Sequence, residues 1–304
     1  MTDPFHPRSP EPKELDAALA RLLTPPSAGP PAPSTVRGLR KTLREERARL
    51  WCAGPIGTPL GAVLTLPRPG RIEMLLGTPL GPADDPTPTG RCLEAALKSG
   101  RQTGNHLAQL VHVPEAVGTA EAAKLGGMEW LAELQFLRTV TIPEPAKPSG
   151  PPASLRSSIT WCDCGDLESQ ALHTVLLETY VDAKDCPGLR GRREPEDILI
   201  GHEASGVKHK WLAAKIEQEL VGVLLLAESP ERHLLQVLYV GVVPKFRGKR
   251  LGQHFMAKAS EIAISRKLPL SLHVDRRNTP ALKLYRKFDL QPRESRVAWI
   301  AEIR

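Results

Sequence analysis

The chain has 304 residues, long enough for two domains of ordinary size, each with its own core. Its 41% hydrophobic and 25% charged residues exclude a disordered or fibrous chain, and no apolar run approaches the length of a membrane span. The net charge of +7 permits contact with nucleic acid, but 4% aromatic residues leave few stacking platforms, and five scattered cysteines do not make a disulfide framework.

The opening Met1-Thr-Asp-Pro-Phe-His-Pro-Arg-Ser-Pro10 has no apolar h-region and predicts a cytoplasmic chain with reduced thiols. Cys162-Asp-Cys164 is too tight for a metal knuckle, so no metal site is expected. Residues 1–35 read as a disordered, proline-rich leader, with a short amphipathic helix over 12–23 through Leu15, Leu19, Leu22 and Leu23. A charged helix follows over 36–49. Strands are expected at 50–53, 59–66 and 71–76, a helix at 90–99, a strand at 106–113, a short helix at 119–127 and a strand at 130–140. The proline-rich run 142–156 is the clearest linker.

The second half, 157–304, repeats this order. A strand at 158–161 leads to helices at 166–181 and 194–204 and to strands at 211–217, 220–227 and 234–243. A helix at 252–266, a strand at 268–274, a helix at 279–287 and a last strand at 297–303 complete it. Residues 59–66 align with 220–226, 106–113 with 268–274, and 120–130 with 281–290. Two related domains in tandem are therefore expected, at 36–141 and 157–304.

The stretch from Tyr239 to Lys258 runs from an apolar strand through Pro244 and Arg247-Gly-Lys-Arg-Leu-Gly252 into a helix. The first N–H groups of a helix lack internal partners, and its dipole makes that end positive, so this turn suits a pyrophosphate. Lys245, Arg247, Lys249 and Arg250 add four cations. No Gly-x-x-x-x-Gly-Lys-Ser/Thr or Gly-x-Gly-x-x-Gly is present, which argues against nucleotide hydrolysis and dinucleotide binding. Further on stands Asn278-Thr-Pro-Ala-Leu-Lys-Leu-Tyr285, after a strand.

The loop resembles the acetyl-coenzyme-A loop of the GNAT superfamily of N-acetyltransferases, Arg/Gln-x-x-Gly-x-Gly/Ala. Arg247 and Gly252 match, and Arg250 replaces the middle glycine. The second stretch resembles the same family's Asn-x-x-Ala-x-x-Leu-Tyr-x-x-x-Gly-Phe. Asn278, Ala281, Leu284 and Tyr285 match, and Asp289-Leu290 replaces Gly-Phe. The resemblance covers about the C-terminal half. It implies a mixed α/β fold of two tandem GNAT-like domains, each a mostly antiparallel sheet with a splayed strand pair, flanked by helices. It implies transfer of an acetyl group from acetyl-CoA to an unidentified amine, with acetyl-CoA as cosubstrate; the composition adds no membrane partner and disfavours nucleic acid. Val240, Val242, Val243, Arg247, Gly248, Lys249, Arg250, Gly252, Gln253 and Asn278 would bind the cofactor, and Tyr285 would protonate the leaving thiolate.

The base position of many relatives is occupied by Gln236, whose neutral amide cannot accept a proton. Glu217, Glu219 and His233 are alternative bases that also read as plain surface residues; His273 reads as a structural strand-face residue, and Asp163 as a turn residue or a contact for the substrate amine. Trp161, Trp211 and Tyr239 read as core. In the first half, Gly81-Pro-Ala-Asp-Asp-Pro-Thr-Pro-Thr-Gly90 stands where the phosphate loop would be. Its prolines lack donors and Asp84 and Asp85 repel anions, so this copy is expected to be a degenerate scaffold. Two other classes stay open: a silent acetyl-CoA-binding module, and a basic nucleic-acid binder.

Overall fold

The computed structural model describes residues 5–26, 31–143 and 158–303. The chain divides into two compact units, 1–132 with 296–304, and 133–295. Each is a sheet flanked by helices, and most of its strand pairs are antiparallel.

The first unit contains α1 (Leu15–Arg21), α2 (Pro33–Glu45), β1 (Arg49–Ala53), β2 (Gly61–Arg68), β3 (Ile72–Gly77), α3 (Thr87–Gly100), β4 (Leu107–His112) and α4 (Val117–Leu125). Strands β1, β2 and β3 are antiparallel neighbours, and β3 runs parallel to β4. The far side of β4 is taken by the end of the last strand of the chain, β11 (Gln291–Glu302), through Val297↔His112 to Glu302↔Leu107.

The second unit contains β6 (Ile159–Asp163), α5 (Ser169–Tyr180), α6 (Pro195–Glu203), β7 (Val207–Ile216), β8 (Glu219–Ser229), β9 (Leu234–Val242), α7 (Leu251–Arg266), β10 (Leu270–Asp275) and α8 (Thr279–Arg286). Its outer strand beside β10 is the end of β5 (Glu129–Arg138), paired from Ser271↔Arg138 to Asp275↔Leu134. So each unit is finished by a strand from the other half of the sequence. The boundaries 36–141 and 157–304 assumed that each half keeps its own last strand. Alternating apolar residues announce a strand but do not name its partner, because pairing is non-local. The expected linker lies mostly outside the described residues.

The leader also differs from expectation. Arg8 makes two backbone hydrogen bonds with Cys52 on β1, at 2.8 and 3.0 Å. Leu19 and Ala18 of α1 are fully buried against Leu50, Ala62 and Leu64. The side chain of Glu14, itself buried, accepts from Arg8 at 3.0 Å. A paired charge and a packed apolar stripe tie this segment down despite its prolines.

Each unit has a dense core. Leu224, Leu225 and Leu226 of β8 and Phe255 of α7 anchor the second; Val63, Leu93 and Leu110 anchor the first. All five cysteines are free thiols. Burial pushes Cys164 up to about 12 and Cys52 up to about 11, so neither is a reactive thiolate. Among the described residues no helix is long and apolar enough to cross a membrane, and no cluster of three His, Cys, Asp or Glu could hold a metal ion.

A candidate acyl-transfer site in the second unit

Strand β9 follows β10 for three residues only, Leu235↔Leu270 to Val237↔Leu272. At the same point its register with β8 slips at Leu238, where Leu225 pairs with Tyr239 but Leu226 with Val237. A bulge of this kind bends a strand and raises its twist. The rest of β9, through Val242, stays with β8 and leaves β10. The opening is a cavity of about 660 Å³. Its walls are β9, the end of α5, the loop 181–193, and the start of α8.

The first unit shows the same parallel pair, Ile72↔Leu107 to Leu75↔Leu110 on β3 and β4. There Leu80 and the loop after it pack against α4. The fully buried Leu80 donates its N–H to Thr119 Oγ1 at 2.8 Å and accepts from Gly118 N at 3.1 Å. A Cβ on Gly118 would lie 2.4 Å from the Gly81 carbonyl oxygen, so only glycine lets the loop sit this close to α4. Asp84 takes the Gly81 N–H at 2.8 Å and Asp85 the Thr87 N–H at 2.9 Å. Carboxylates thus occupy donors beside the α3 N-terminus.

In the second unit the loop after β9 is a short 3-10 turn, Pro244–Phe246, then Arg247 to Arg250, then α7. Arg250 takes φ +61° and Asp289 takes φ +55°. These are the two positions where the acetyltransferase motifs have glycine. The left-handed conformation is retained here without it, at a cost of about 1–2 kcal/mol for an ordinary residue. Arg250→Gly is therefore expected to hold or raise stability by relieving that strain, and Arg250→Val, whose β-branched side chain suits the left-handed region still less, to lower it, both read by thermal unfolding. A Cβ on Gly252 would lie 3.0 Å from Leu284 Cδ2, so this residue brings α7 close to α8.

The four cations are not equivalent. Arg247 turns inward. Its Nε donates to the Val242 carbonyl at 3.0 Å and a terminal nitrogen to the Thr179 carbonyl at 2.9 Å. Its own N–H is bonded to Pro244 O. A cation on the last carbonyls of α5 suits the helix dipole, and this clasp fixes α5 to the end of β9. Lys245 pairs with Glu219 at 2.7 Å, and Lys249 lies 4.8 Å from the Phe246 ring centre. Arg250 is exposed, beside the helix N-terminus. Val240, Val242, Arg247 and Asn278 line the cavity; Gly248, Lys249, Gly252 and Gln253 sit on the turn and the first turn of α7. Val243 is buried, with its N–H bonded to Val221 O, and faces the core. Asn278 caps α8 by accepting the Ala281 N–H at 3.3 Å.

Tyr285 lines the cavity and is only 7% exposed. Burial first, then the Asp185 charge, push its phenol well above the usual value, so it carries its proton at neutral pH. Gln236 is not among the lining residues; its amide lies 3.4 Å from His273 Nδ1. Asp163 caps a turn through Gly165 N–H and pairs with Lys210 at 2.9 Å, which lowers its pKa.

Tyr239 was expected in the core and instead lines the cavity, as does Tyr180. The chain has three tyrosines, and all three meet here. Thr179 Oγ1 donates to Leu176 O at 2.6 Å, so the 2.8 Å contact with Tyr239 must be donated by the phenol. Tyr180 in turn bonds Tyr239, and burial lifts Tyr239 to about 12. Asp185, Arg193 and His202 complete the wall. The sequence carries one signal for Asp185 and Arg193, the basic run 184–193, and none for His202.

His202 is pushed down from 6.5 to about 4, by burial first and then by the Arg193 charge. Between those values the unfolded chain binds a proton that the folded one refuses. Stability present above pH 6.5 should therefore drain as pH falls toward 4, by up to about 3 kcal/mol. His112, lowered by burial in the first unit, acts with the same sign. Urea unfolding of the wild type and of His202→Gln at pH 7 and pH 4.5 checks this: the variant should lose less on acidification.

The sequence profile of the acetyltransferase (GNAT) family matches residues 176–290. No curated protein sequence matches the chain. Among solved structures, a GCN5-related N-acetyltransferase from Sphaerobacter thermophilus aligns over 98% of this chain and 95% of its own, at 19% identity and TM-score 0.53. A tandem GNAT protein from the clavulanic acid biosynthesis pathway aligns over 98% of both chains, at 16% identity and TM-score 0.52. Residues 176–290 thus match the acetyltransferase (GNAT) family, and the chain as a whole shares its fold with a tandem GNAT protein.

Proposed function

We propose that the second unit is a cytoplasmic N-acetyltransferase that moves an acetyl group from acetyl-CoA directly to an amine. The observation that carries this is the splay of β9 from β10, with Tyr285 on one wall and the α7 N-terminus at the end of the loop. The pantetheine arm would pair with the free edge of β9 around Val240 and Val242, as an added strand. The pyrophosphate would meet the first N–H groups of α7, with Gly248, Gly252 and Gln253 near it and Lys249 and Arg250 beside it. Arg247 would act through the strand it clasps, and Asn278 by holding the start of α8.

The neutral amine attacks the thioester carbonyl carbon. A backbone N–H of β9 steadies the oxyanion. The C–S bond breaks, Tyr285 gives its proton to the departing sulfur, and the new amide nitrogen loses one. Gln236 favours a second reading, a domain that binds acetyl-CoA without turnover. A thiol-release assay over a panel of amines separates the two. Acetyl-CoA-dependent thiol release with at least one amine supports transfer; cofactor binding without release supports the second reading.

A further inference from the structure

Of the charged groups that line the cavity, Arg190 pairs with Asp182 and Arg247 is held by two backbone carbonyls; Arg193 and Asp185 differ from both. Arg193 is largely buried. One terminal nitrogen donates to the Asp197 backbone carbonyl at 2.8 Å, and its Nε is buried without a partner. A desolvated guanidinium with a spare donor is a receptor for an oxyanion. The neighbours that face it are Tyr180, Asp197 and His202, and burial keeps His202 uncharged at neutral pH.

Near the start of α8 stand two carboxylates with one guanidinium. Asp275 is fully buried and paired with Arg277 at 2.5 Å. Asp185 accepts the Asp275 N–H at 2.9 Å and bonds the Asn278 side chain. The two carboxylates thus share one guanidinium. Burial raises the pKa of Asp185, as expected of a carboxylate short of a cation. Tyr180 lines the same cavity and feels the charges of both Arg193 and Asp185. Its proton is spent on Tyr239, which leaves its oxygen as an acceptor. Asp185 also acts on Tyr285, the proposed acid.

Resting on the acetyltransferase reading above, we infer that the acceptor is a small amine bearing a carboxylate. Arg193 holds the carboxylate, and Asp185 draws in the ammonium and takes its proton. The free amine then attacks the thioester carbonyl, the C–S bond breaks, and the sulfur leaves with the Tyr285 proton. The amide nitrogen releases its second proton to solvent, and solvent reprotonates Tyr285. The products are the N-acetyl amino acid and the free thiol.

The test uses the full chain and matched pairs: an amino acid and the amine formed by its decarboxylation, for several side chains. Acetyl-CoA binding is measured separately by calorimetry. The expected kcat/KM ratio, acid over decarboxylated amine, is about 100 for at least one pair. In Arg193→Gln that ratio should fall to about 1, and Arg193→Lys, which keeps the charge, should restore part of it. Asp185→Asn should lower kcat/KM for both members of a pair and remove the acidic limb of the pH profile. If the wild type transfers acetyl equally to both members, the inference is overturned and the transferase reading stands. If Arg193→Gln keeps the ratio but weakens acetyl-CoA, the oxyanion belongs to the cofactor and the inference fails. No acetyl-CoA binding overturns both.

Discussion

Tyr285→Phe is expected to lower kcat about 100-fold while acetyl-CoA affinity stays within about twofold. The phenol is the proton donor to the leaving sulfur, and phenylalanine removes the oxygen while keeping the ring that packs in the wall. A phenol with a raised pKa looks like a poor acid for a thiolate. The same burial acts on the sulfur, however. Cys186 lines this cavity, and burial pushes its thiol well above the usual value. A coenzyme thiolate formed here would be raised in the same way, so donor and acceptor stay near one another in affinity for the proton. Single-turnover thiol release measures the step. An unchanged kcat would remove Tyr285 from the chemistry and leave it a packing residue.

Gly252→Asp is expected to weaken acetyl-CoA at least 100-fold. It places a carboxylate beside the N–H groups proposed for the pyrophosphate, as Asp85 lies beside the start of α3 in the first unit. The fold should survive. An acidic residue in the first turn suits the helix dipole, and the 3.0 Å approach of its Cβ is to the end of the flexible Leu284 side chain. Calorimetry for affinity and thermal unfolding for stability separate the two effects. Retained affinity would mean that the pyrophosphate lies elsewhere.

The motifs that carry the candidate site were readable because they are local. A strand, a basic turn and a helix start are adjacent in sequence, and so are Asn278 and Tyr285 on one short helix. Even the departures made sense at short range: Arg250 and Asp289 keep the left-handed backbone that glycine would take freely. Asp84 and Asp85, expected to repel an anion, take backbone N–H groups of Gly81 and Thr87 in their own loop. The exchange of β5 and β11 between units was not legible, because a strand's alternation says nothing of its neighbour. Nor was the inward turn of Arg247, which depends on carbonyls 5 and 68 residues away. Tyr180, Asp185, Arg193 and Tyr239 converge from the α5 end, a loop and β9. Each looked ordinary alone, and only the fold gathers three tyrosines with Asp185 and Arg193 around one cavity.

Calorimetric titration of the full chain with acetyl-CoA tests the central claim most directly. The account predicts one site per chain, in the second unit, because in the first Leu80 and the loop after it pack against α4. Two sites per chain, or none in a folded sample, would contradict it.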